Sequence, residues 1–226
     1  MELRAENVSR RFFRNSGQAN YFYAVKDAAL LLTSGSLTEI TGRSGSGKST
    51  LLNILAGLLE PTEGRVFLDR VDLYSMADGP RSELRSRCIG VVPQGQTGLH
   101  SLTVLENVKL PCLLYGEKLS DASALELLEK VGIADLKDVY PNELSGGEMR
   151  RLAIARALVK KPAILLADEP TGDLDDENTQ KILRLLRQEA DEGTAVLLVT
   201  HEREAAAYAD RLYRMDGGIL AEASAQ

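Results

Sequence analysis

The chain has 226 residues, a length that suits one large domain or two lobes around a sizeable core. Its hydrophobic content of 44% and charged content of 27% are ordinary for a globular protein. The net charge of −6 argues against a nucleic-acid-binding protein, because such a surface must neutralise phosphates. No apolar run approaches the length of a membrane span, and the N-terminus lacks the apolar region of a signal peptide.

The first 94 residues are predicted to be mainly strands and turns. Residues 1–41 hold two aromatic-rich segments that flank a polar loop at 14–20. Short apolar runs bounded by turn residues predict strands at 37–41, 65–68 and 89–92, the first of them with an alternating pattern. Helices are expected after a Gly-rich segment at 42–50 and around residues 82–87.

From about residue 95 to 160 the apolar spacing changes to that of helices. Ala124, Leu127, Leu128 and Val131 recur at helical spacing and form one apolar face. A second helix is expected from about 146 to 160, where Pro162 stops it. We interpret this section as a helical lobe that is inserted into an α/β core.

The core is predicted to resume after residue 160. Segments 163–167 and 195–199 are continuously apolar, which is typical of strands buried on both faces of a parallel sheet. A covering helix is expected between them at 177–192, and residues 211–223 suggest two strands joined by a Gly-Gly turn. The fold is therefore predicted as α/β with a mostly parallel sheet.

The segment GRSGSGKST, residues 42–50, matches the phosphate-binding pattern G-x-x-x-x-G-K-[ST] at every fixed position. Its glycines let the backbone wrap closely around a triphosphate, and its N–H groups open a helix, where an anion is stabilised. Lys48 supplies a cation for the β and γ phosphates, and the Ser49 hydroxyl can ligate Mg²⁺. The predicted phosphate-binding residues are Gly42, Arg43, Ser44, Gly45, Ser46, Gly47, Lys48, Ser49 and Thr50.

Two carboxylates end the apolar strand at 163–167. Because ligands of an open parallel sheet bind at the carboxyl ends of its strands, Asp168 is expected near Mg²⁺. Glu169 is one residue further on and can face the γ-phosphate, where a carboxylate can orient and deprotonate water. Gln94 and His201 also follow strands, and His201 is a candidate γ-phosphate sensor or proton partner. Either side chain has a purely structural alternative.

A second helix start has the composition of an anion site. Ser145 is a good N-cap, and Gly146 and Gly147 leave backbone N–H groups exposed within the segment 144–148. An ordinary helix cap is the alternative.

Along the chain, the motifs come in the order phosphate loop, Gln94, segment 144–148, Asp168-Glu169, Leu174-Asp175 and His201. In that order they resemble the nucleotide-binding subunit of ATP-binding cassette (ABC) proteins over essentially the whole chain. The resemblance implies a P-loop NTPase (RecA-like) core at about 1–94 and 161–226, with an N-terminal antiparallel β subdomain and an inserted α-helical subdomain at about 95–160. It implies that the chain dimerises on binding ATP and contacts the ATP of the second subunit. Those contacts would come from Ser145, Gly146, Gly147 and Glu148.

Further site residues follow from the same resemblance. Asp175 is implied at the dimer interface, and Gln94 is implied to touch Mg²⁺ or the attacking water and to signal to a partner. Phe12 aligns best with the aromatic residue that stacks on adenine, and Tyr23 is the second choice.

Three segments resemble the lipoprotein-releasing, macrolide-exporting and cell-division ABC ATPases: 50–55, 102–108 and 167–172. This implies a cytoplasmic position on the inner face of the cell membrane, bound to a permease with a large external domain. The apolar segment 95–116 is the expected docking region, with Leu99 and Leu102 as candidates. Departures from the family pattern lie at 95–98, 148–150 and 173.

Two other functions are possible. A soluble ABC ATPase acting on DNA or ribosomes usually has a coiled-coil insertion or two cassettes, and this sequence has one phosphate loop and no heptad array. A small-molecule P-loop kinase gives no reason for the segment 144–148 or for His201. The lone cysteines Cys88 and Cys112 form no C-x-x-C pair or metal-ligand cluster, which favours the cytoplasm.

Overall fold

The computed structural model describes residues 1–13, 21–95, 97–172 and 174–223. The polar loop expected at 14–20 and the departures at positions 96 and 173 lie outside these residues. The described strands are β1 (Glu2–Phe13), β2 (Tyr21–Thr33), β3 (Leu37–Thr41), β4 (Glu63–Leu68), β5 (Val71–Asp72), β6 (Ile89–Val92), β7 (Ile164–Asp168), β8 (Ala195–Val199), β9 (Arg211–Asp216) and β10 (Ile219–Ala223). The described α-helices are α1 (Lys48–Leu55), α2 (Asp78–Cys88), α3 (Val104–Leu113), α4 (Asp121–Lys130), α5 (Gly146–Leu158) and α6 (Asp176–Asp191).

The strands form two sheets. An antiparallel sheet has the order β2-β1-β4-β5, and a six-stranded sheet has the order β10-β9-β3-β8-β7-β6. In the larger sheet, the pairs from β9 to β6 are parallel and only β10 is antiparallel. The predicted α/β class, with a mostly parallel sheet and an N-terminal antiparallel β unit, is confirmed.

The six-stranded sheet divides the interior into two cores, because successive side chains of a strand point to opposite faces. On β7, Leu165 and Ala167 pack with the helical segment and α6. Ile164 and Leu166 pack on the other face, with α1 and the antiparallel sheet. The continuous apolar runs at β7 and β8 thus reflect strands that are covered on both sides.

Strand β3 differs from its sequence pattern. The alternation predicted at 37–41 is wrong, because the apolar residues Leu37 and Ile40 pack into the cores on opposite faces of the sheet, and four of the five residues are buried. Thr38 and Glu39 are each only 1% exposed, because β3 is a central strand between β8 and β9. The parallel architecture therefore buries a carboxyl group that the pattern would leave in solvent.

Local capping explains where the inserted helices begin. Thr103 and Glu106 form a reciprocal capping box at the start of α3, and Ser145 and Glu148 form another at α5. Asn107 is fully buried, and its amide donates to the carbonyl groups of Leu99, Leu102 and Thr103. The loop before α3 is thus held by a side chain of α3 itself. None of the described helices is long and apolar enough to cross a membrane.

Candidate active site

The loop between β3 and α1 has the backbone geometry of a phosphate cradle. Gly47 has a φ of 107°, and a Cβ at this position would lie 1.9 Å from the carbonyl oxygen of Ala24. Gly42 is similarly restricted, because its Cβ would lie 2.2 Å from the carbonyl oxygen of Met215. Both positions therefore require glycine for steric reasons. The loop opens α1, whose free N–H groups favour an anion.

Lys48 places a cation in the centre of this loop. Its Nζ donates to the carbonyl oxygens of Gly42, at 2.7 Å, and of Arg43, at 3.1 Å. The residue is only 8% exposed, so the ammonium group is held in one position. The buried Ser46 hydroxyl has no hydrogen-bond partner in the described part of the chain. A phosphate group bound in the loop would give the Lys48 ammonium an anionic partner.

Asp168 ends β7 facing the same cavity and is 4% exposed. Burial raises the pKa of its carboxyl group, while a hydrogen bond from Ser49 and the charges of Lys48 and Arg150 act in the opposite direction. Within the described residues its Oδ1 atom has no hydrogen-bond partner. A buried carboxylate oxygen without a donor is costly unless a cation or a ligand meets it.

These oxygen atoms fit Mg²⁺. Among the described residues no group of three His, Cys, Asp or Glu side chains could hold a metal ion. Mg²⁺, however, is usually bound by one or two protein ligands, with substrate phosphates and water completing its shell. Asp168 and Ser49 place such a pair of oxygen atoms beside the phosphate loop.

Glu169 and His201 form a pair that lines the same cavity as Asp168. The His201 Nδ1 atom lies 2.8 Å from Glu169 Oε2, and the Glu169 side chain is 13% exposed. The Glu169 backbone has a φ of 50°, in the left-handed region, and its N–H donates to the carbonyl oxygen of Val199 at 2.8 Å. An unfavourable backbone conformation held by the sheet thus fixes where this carboxylate points.

A cavity of about 710 Å³ brings most of the predicted residues together. Of these, the lining contains Phe12, Gly42, Arg43, Ser44, Gly45, Gly47, Lys48, Ser49, Thr50, Gln94, Asp168, Glu169 and His201. Tyr23, the second choice for base stacking, does not line it. Ser46 is buried and does not line it either. The sequence motifs therefore converge on one cavity at the carboxyl edge of the sheet.

Four further lining residues are not predicted by the motifs: Phe22, Ala24, Arg150 and Gly172. Phe22 belongs to β2, and in the sequence nothing distinguishes it from the neighbouring aromatic residues Tyr21 and Tyr23. Arg150 lies on α5, is 8% exposed, and its Nη1 is 3.4 Å from the carbonyl oxygen of Pro93, next to Gln94. The sequence does mark this position, because residues 148–150 depart from the glutamine-rich run that is usual in the family.

The segment 144–148 lies apart from this cavity. None of Ser145, Gly146, Gly147 and Glu148 is among the lining residues. Glu148 Oε2 accepts from the Ser145 backbone N–H and hydroxyl, each at 2.7 Å, and these bonds lower its pKa. The carboxylate of Glu148 thus caps the exposed N-terminus of α5.

Asp175 also caps a helix. Its carboxylate accepts from the Asn178 backbone N–H at 2.8 Å and from the Asn178 side-chain amide at 3.0 Å. The hydrogen bond from the backbone N–H is the main cause of its lowered pKa. Asp175 is exposed at the start of α6, so its side chain is accessible to another subunit.

A Gly-rich loop and lysine after one parallel strand, with two carboxylates at the end of another strand of that sheet, define a P-loop nucleoside triphosphatase. A family model described as ABC transporter matches residues 25–172. That region is more than half of the chain, and the chain belongs to the ABC transporter family.

Sequence similarity to three ATP-binding proteins supports the same family assignment. The chain is 40% identical over 223 residues to the lipoprotein-releasing system ATP-binding protein LolD of Xanthomonas campestris pv. campestris, covering 97% of this chain and 92% of that protein. It is 37% identical over 207 residues to YtrE of Bacillus subtilis, covering 90% of each. It is 45% identical over 203 residues to the methionine import protein MetN of Rhizobium meliloti, covering 87% of this chain and 55% of that protein.

A solved structure supports the same conclusion. The dimeric ATP-binding cassette MJ0796 in a post-hydrolysis state, bound to ADP and Pi, superposes with a TM-score of 0.93 at 35% identity, covering 99% of both chains. The chain is therefore an ATP-binding and ATP-hydrolysing subunit that drives the permease of an ABC transporter, as the motif order predicts. The alternative of a DNA- or ribosome-directed ATPase is not supported.

Proposed function

We propose that two copies of this chain close around two ATP molecules, and that each copy completes the site of the other through the segment 144–148. The observation that carries this proposal is the separation of the two half-sites within one chain. The cavity holds the phosphate loop and the carboxylates, while the capped N-terminus of α5 lies outside it. The relative bound to ADP and Pi is itself described as a dimer.

Within each site, the side chains have distinct tasks. Lys48 neutralises the β and γ phosphates, and Glu169 accepts the proton of the attacking water while His201 holds its carboxylate in place. Asp168, Ser49 and Gln94 would hold Mg²⁺, which when bound offsets phosphate charge. Phe12 is proposed to stack on adenine, because it lines the cavity at its β1 side.

The assembly is tested with Glu169→Gln, which should preserve ATP binding while slowing hydrolysis. We expect light scattering at high protein concentration to show a dimer with ATP and a monomer with ADP. Adding Gly147→Asp should abolish the dimer, because a carboxylate there would repel the partner's γ-phosphate. Each chain should still bind ATP with unchanged affinity. A monomer at every ATP concentration would refute the proposed assembly.

The partner is proposed to be a permease with a large external domain, on the inner face of the membrane. The permease is proposed to dock on this chain in a groove of about 320 Å³, which lies between α2 and the ends of α3 and α5. Leu114 and Tyr115 line this groove and are 70% and 45% exposed. The Lys160 ammonium lies 4.6 Å from the Tyr115 ring centroid and forms an ion pair with Glu117 at 2.9 Å. An apolar floor with a charged rim suits a short amphipathic helix.

If the permease docks in this groove, a negative charge introduced there should disrupt the contact. Leu114→Glu should abolish co-purification with the permease and stop transport, because a carboxylate would be buried in an apolar interface. The isolated subunit should keep its basal ATPase activity. Ile219→Glu is the matched control, since Ile219 is 56% exposed on β10 and lies outside the groove. Full co-purification of the Leu114 variant would place docking elsewhere, and Leu99, which is 46% exposed, would be the next residue to test.

A further inference from the structure

The long hairpin of β1 and β2 carries aromatic side chains on both of its faces. Arg11 pairs with Tyr23, Phe12 with Phe22 and Phe13 with Tyr21 across the two strands. Because neighbouring residues of a strand point to opposite faces, the middle pair lies on one face and the outer pairs lie on the other. The two faces therefore present different aromatic surfaces.

The face with Phe12 and Phe22 borders the phosphate cavity, and both rings line it. Their centroids are 6.0 Å apart and their planes meet at 32°, so the two rings form one shallow surface. The Arg10 guanidinium lies 5.0 Å from the Phe12 centroid and donates to the carbonyl oxygen of Glu60 at 2.8 Å. This hydrogen bond holds the Arg10 guanidinium in position beside the Phe12 ring. Phe22 remains 39% exposed at the mouth of the cavity.

The opposite face has its own set of contacts. Tyr21 and Tyr23 pack edge to face with centroids 5.7 Å apart, and the Arg11 guanidinium lies over both rings. Neither tyrosine lines the cavity. This arrangement leaves the pair formed by Phe12 and Phe22 as the aromatic surface that a bound nucleotide can reach, within the described residues.

We propose that Phe22 is a second base-contacting residue, and that Phe12 and Phe22 together form a two-ring platform for the purine of the bound nucleotide. The inference rests on the proposed role of Phe12 in stacking. A purine has two fused rings and can cover parts of both phenyl groups, whereas a pyrimidine covers mainly one. Phe22 would therefore favour purine over pyrimidine nucleotides, without reading the edge of the base.

A tryptophan reporter tests this contact directly, because the chain contains no native tryptophan. Phe22→Trp is prepared in the Glu169→Gln background, so that ATP stays intact. Its emission should be quenched by Mg-ATP and not by Mg-tripolyphosphate, which has no base. Tyr21→Trp is the matched control on the opposite face of the hairpin, and its emission should change little with either ligand. Equal responses of Phe22→Trp to ATP and tripolyphosphate would overturn the proposal.

Affinity measurements by calorimetry give an independent test in the same background. Phe22→Leu should raise the Kd for ATP by about 2- to 10-fold, the range expected for one aromatic contact, and leave that for tripolyphosphate unchanged. The Kd for CTP should rise less than that for ATP. Phe22→Tyr, which keeps the ring, should bind ATP like the parent and controls for folding.

The variants also separate this inference from the proposed role of Phe12. If Phe12→Leu weakens ATP binding and Phe22→Leu does not, stacking on Phe12 stands and the two-ring platform is refuted. If neither substitution changes the Kd for ATP, both assignments are wrong. If Phe22→Leu weakens ATP and tripolyphosphate equally, Phe22 supports the fold of the site and does not contact the base.

Discussion

Replacing Glu169 with glutamine should lower kcat for ATP hydrolysis by about 10²–10⁴-fold, the usual range for removal of a general base. The glutamine amide is nearly isosteric with the carboxylate, so the backbone conformation at this position, with a φ of 50°, and the packing around it should persist. It cannot accept a proton from water, however, and it removes the carboxylate oxygen that lies 2.8 Å from His201 Nδ1. ATP binding should survive, because the proposed phosphate and metal contacts come from Lys48, Ser49 and Asp168.

Steady-state phosphate release and equilibrium ATP binding separate these two effects. Glu202→Gln is a matched control, because Glu202 directly follows His201 in the chain but does not line the cavity. That variant should hydrolyse ATP at close to the wild-type rate. Near-normal turnover by Glu169→Gln would remove Glu169 from the role of base, and a loss of ATP binding would mean that it supports the nucleotide site itself.

The second large effect concerns the stability of the protein rather than its turnover. Glu39 lies in the middle of β3, opposite Leu198 of β8 and Leu212 of β9. Both of its carboxyl oxygens lack a hydrogen-bond partner among the described residues. Burial raises its pKa from 4.5 to about 7, because the charged form is poorly solvated there. The folded state therefore binds this proton more tightly than the unfolded state does.

The sign of the pH dependence follows from that difference. The contribution of Glu39 to stability is fully present below the unfolded pKa of 4.5 and is lost as the pH rises through about 7. Between pH 5 and pH 8, the wild type should lose about 2–3 kcal/mol of unfolding free energy that Glu39→Gln does not lose. Chemical denaturation at several pH values measures this difference between the two proteins.

A control variant isolates the buried position. Glu126 is exposed on α4, so Glu126→Gln should follow the pH dependence of the wild type. Parallel stability curves for the wild type and Glu39→Gln would show that the carboxyl group of Glu39 is not charged to different extents in the folded and unfolded states. The prediction would then be wrong, whatever the absolute stability of the variant.

The phosphate loop and the class of the fold could both be predicted from local patterns in the sequence. The fixed positions of the motif lie within nine consecutive residues, so a local pattern is sufficient to find them. The steric need for Gly47 agrees with the motif, although it comes from Ala24 on β2. Strands β7 and β8 were equally predictable, because burial on both faces leaves a continuous apolar run. Asp168 and Glu169 follow from the rule that such strands end at the ligand edge of the sheet.

Local patterns do not show which distant side chains line the cavity or which polar groups are buried, because both depend on tertiary contacts. Phe22 reaches the cavity through its register with Phe12, and Arg150 reaches it through the packing of α5 against the loop at Pro93. Glu39 is buried because β3 lies between two parallel neighbours, a fact that the mixed apolar and polar sequence of the strand does not show. The physical reason is common to all three, since strand order, register and helix packing are set by contacts between residues far apart in the chain, which no local periodicity records.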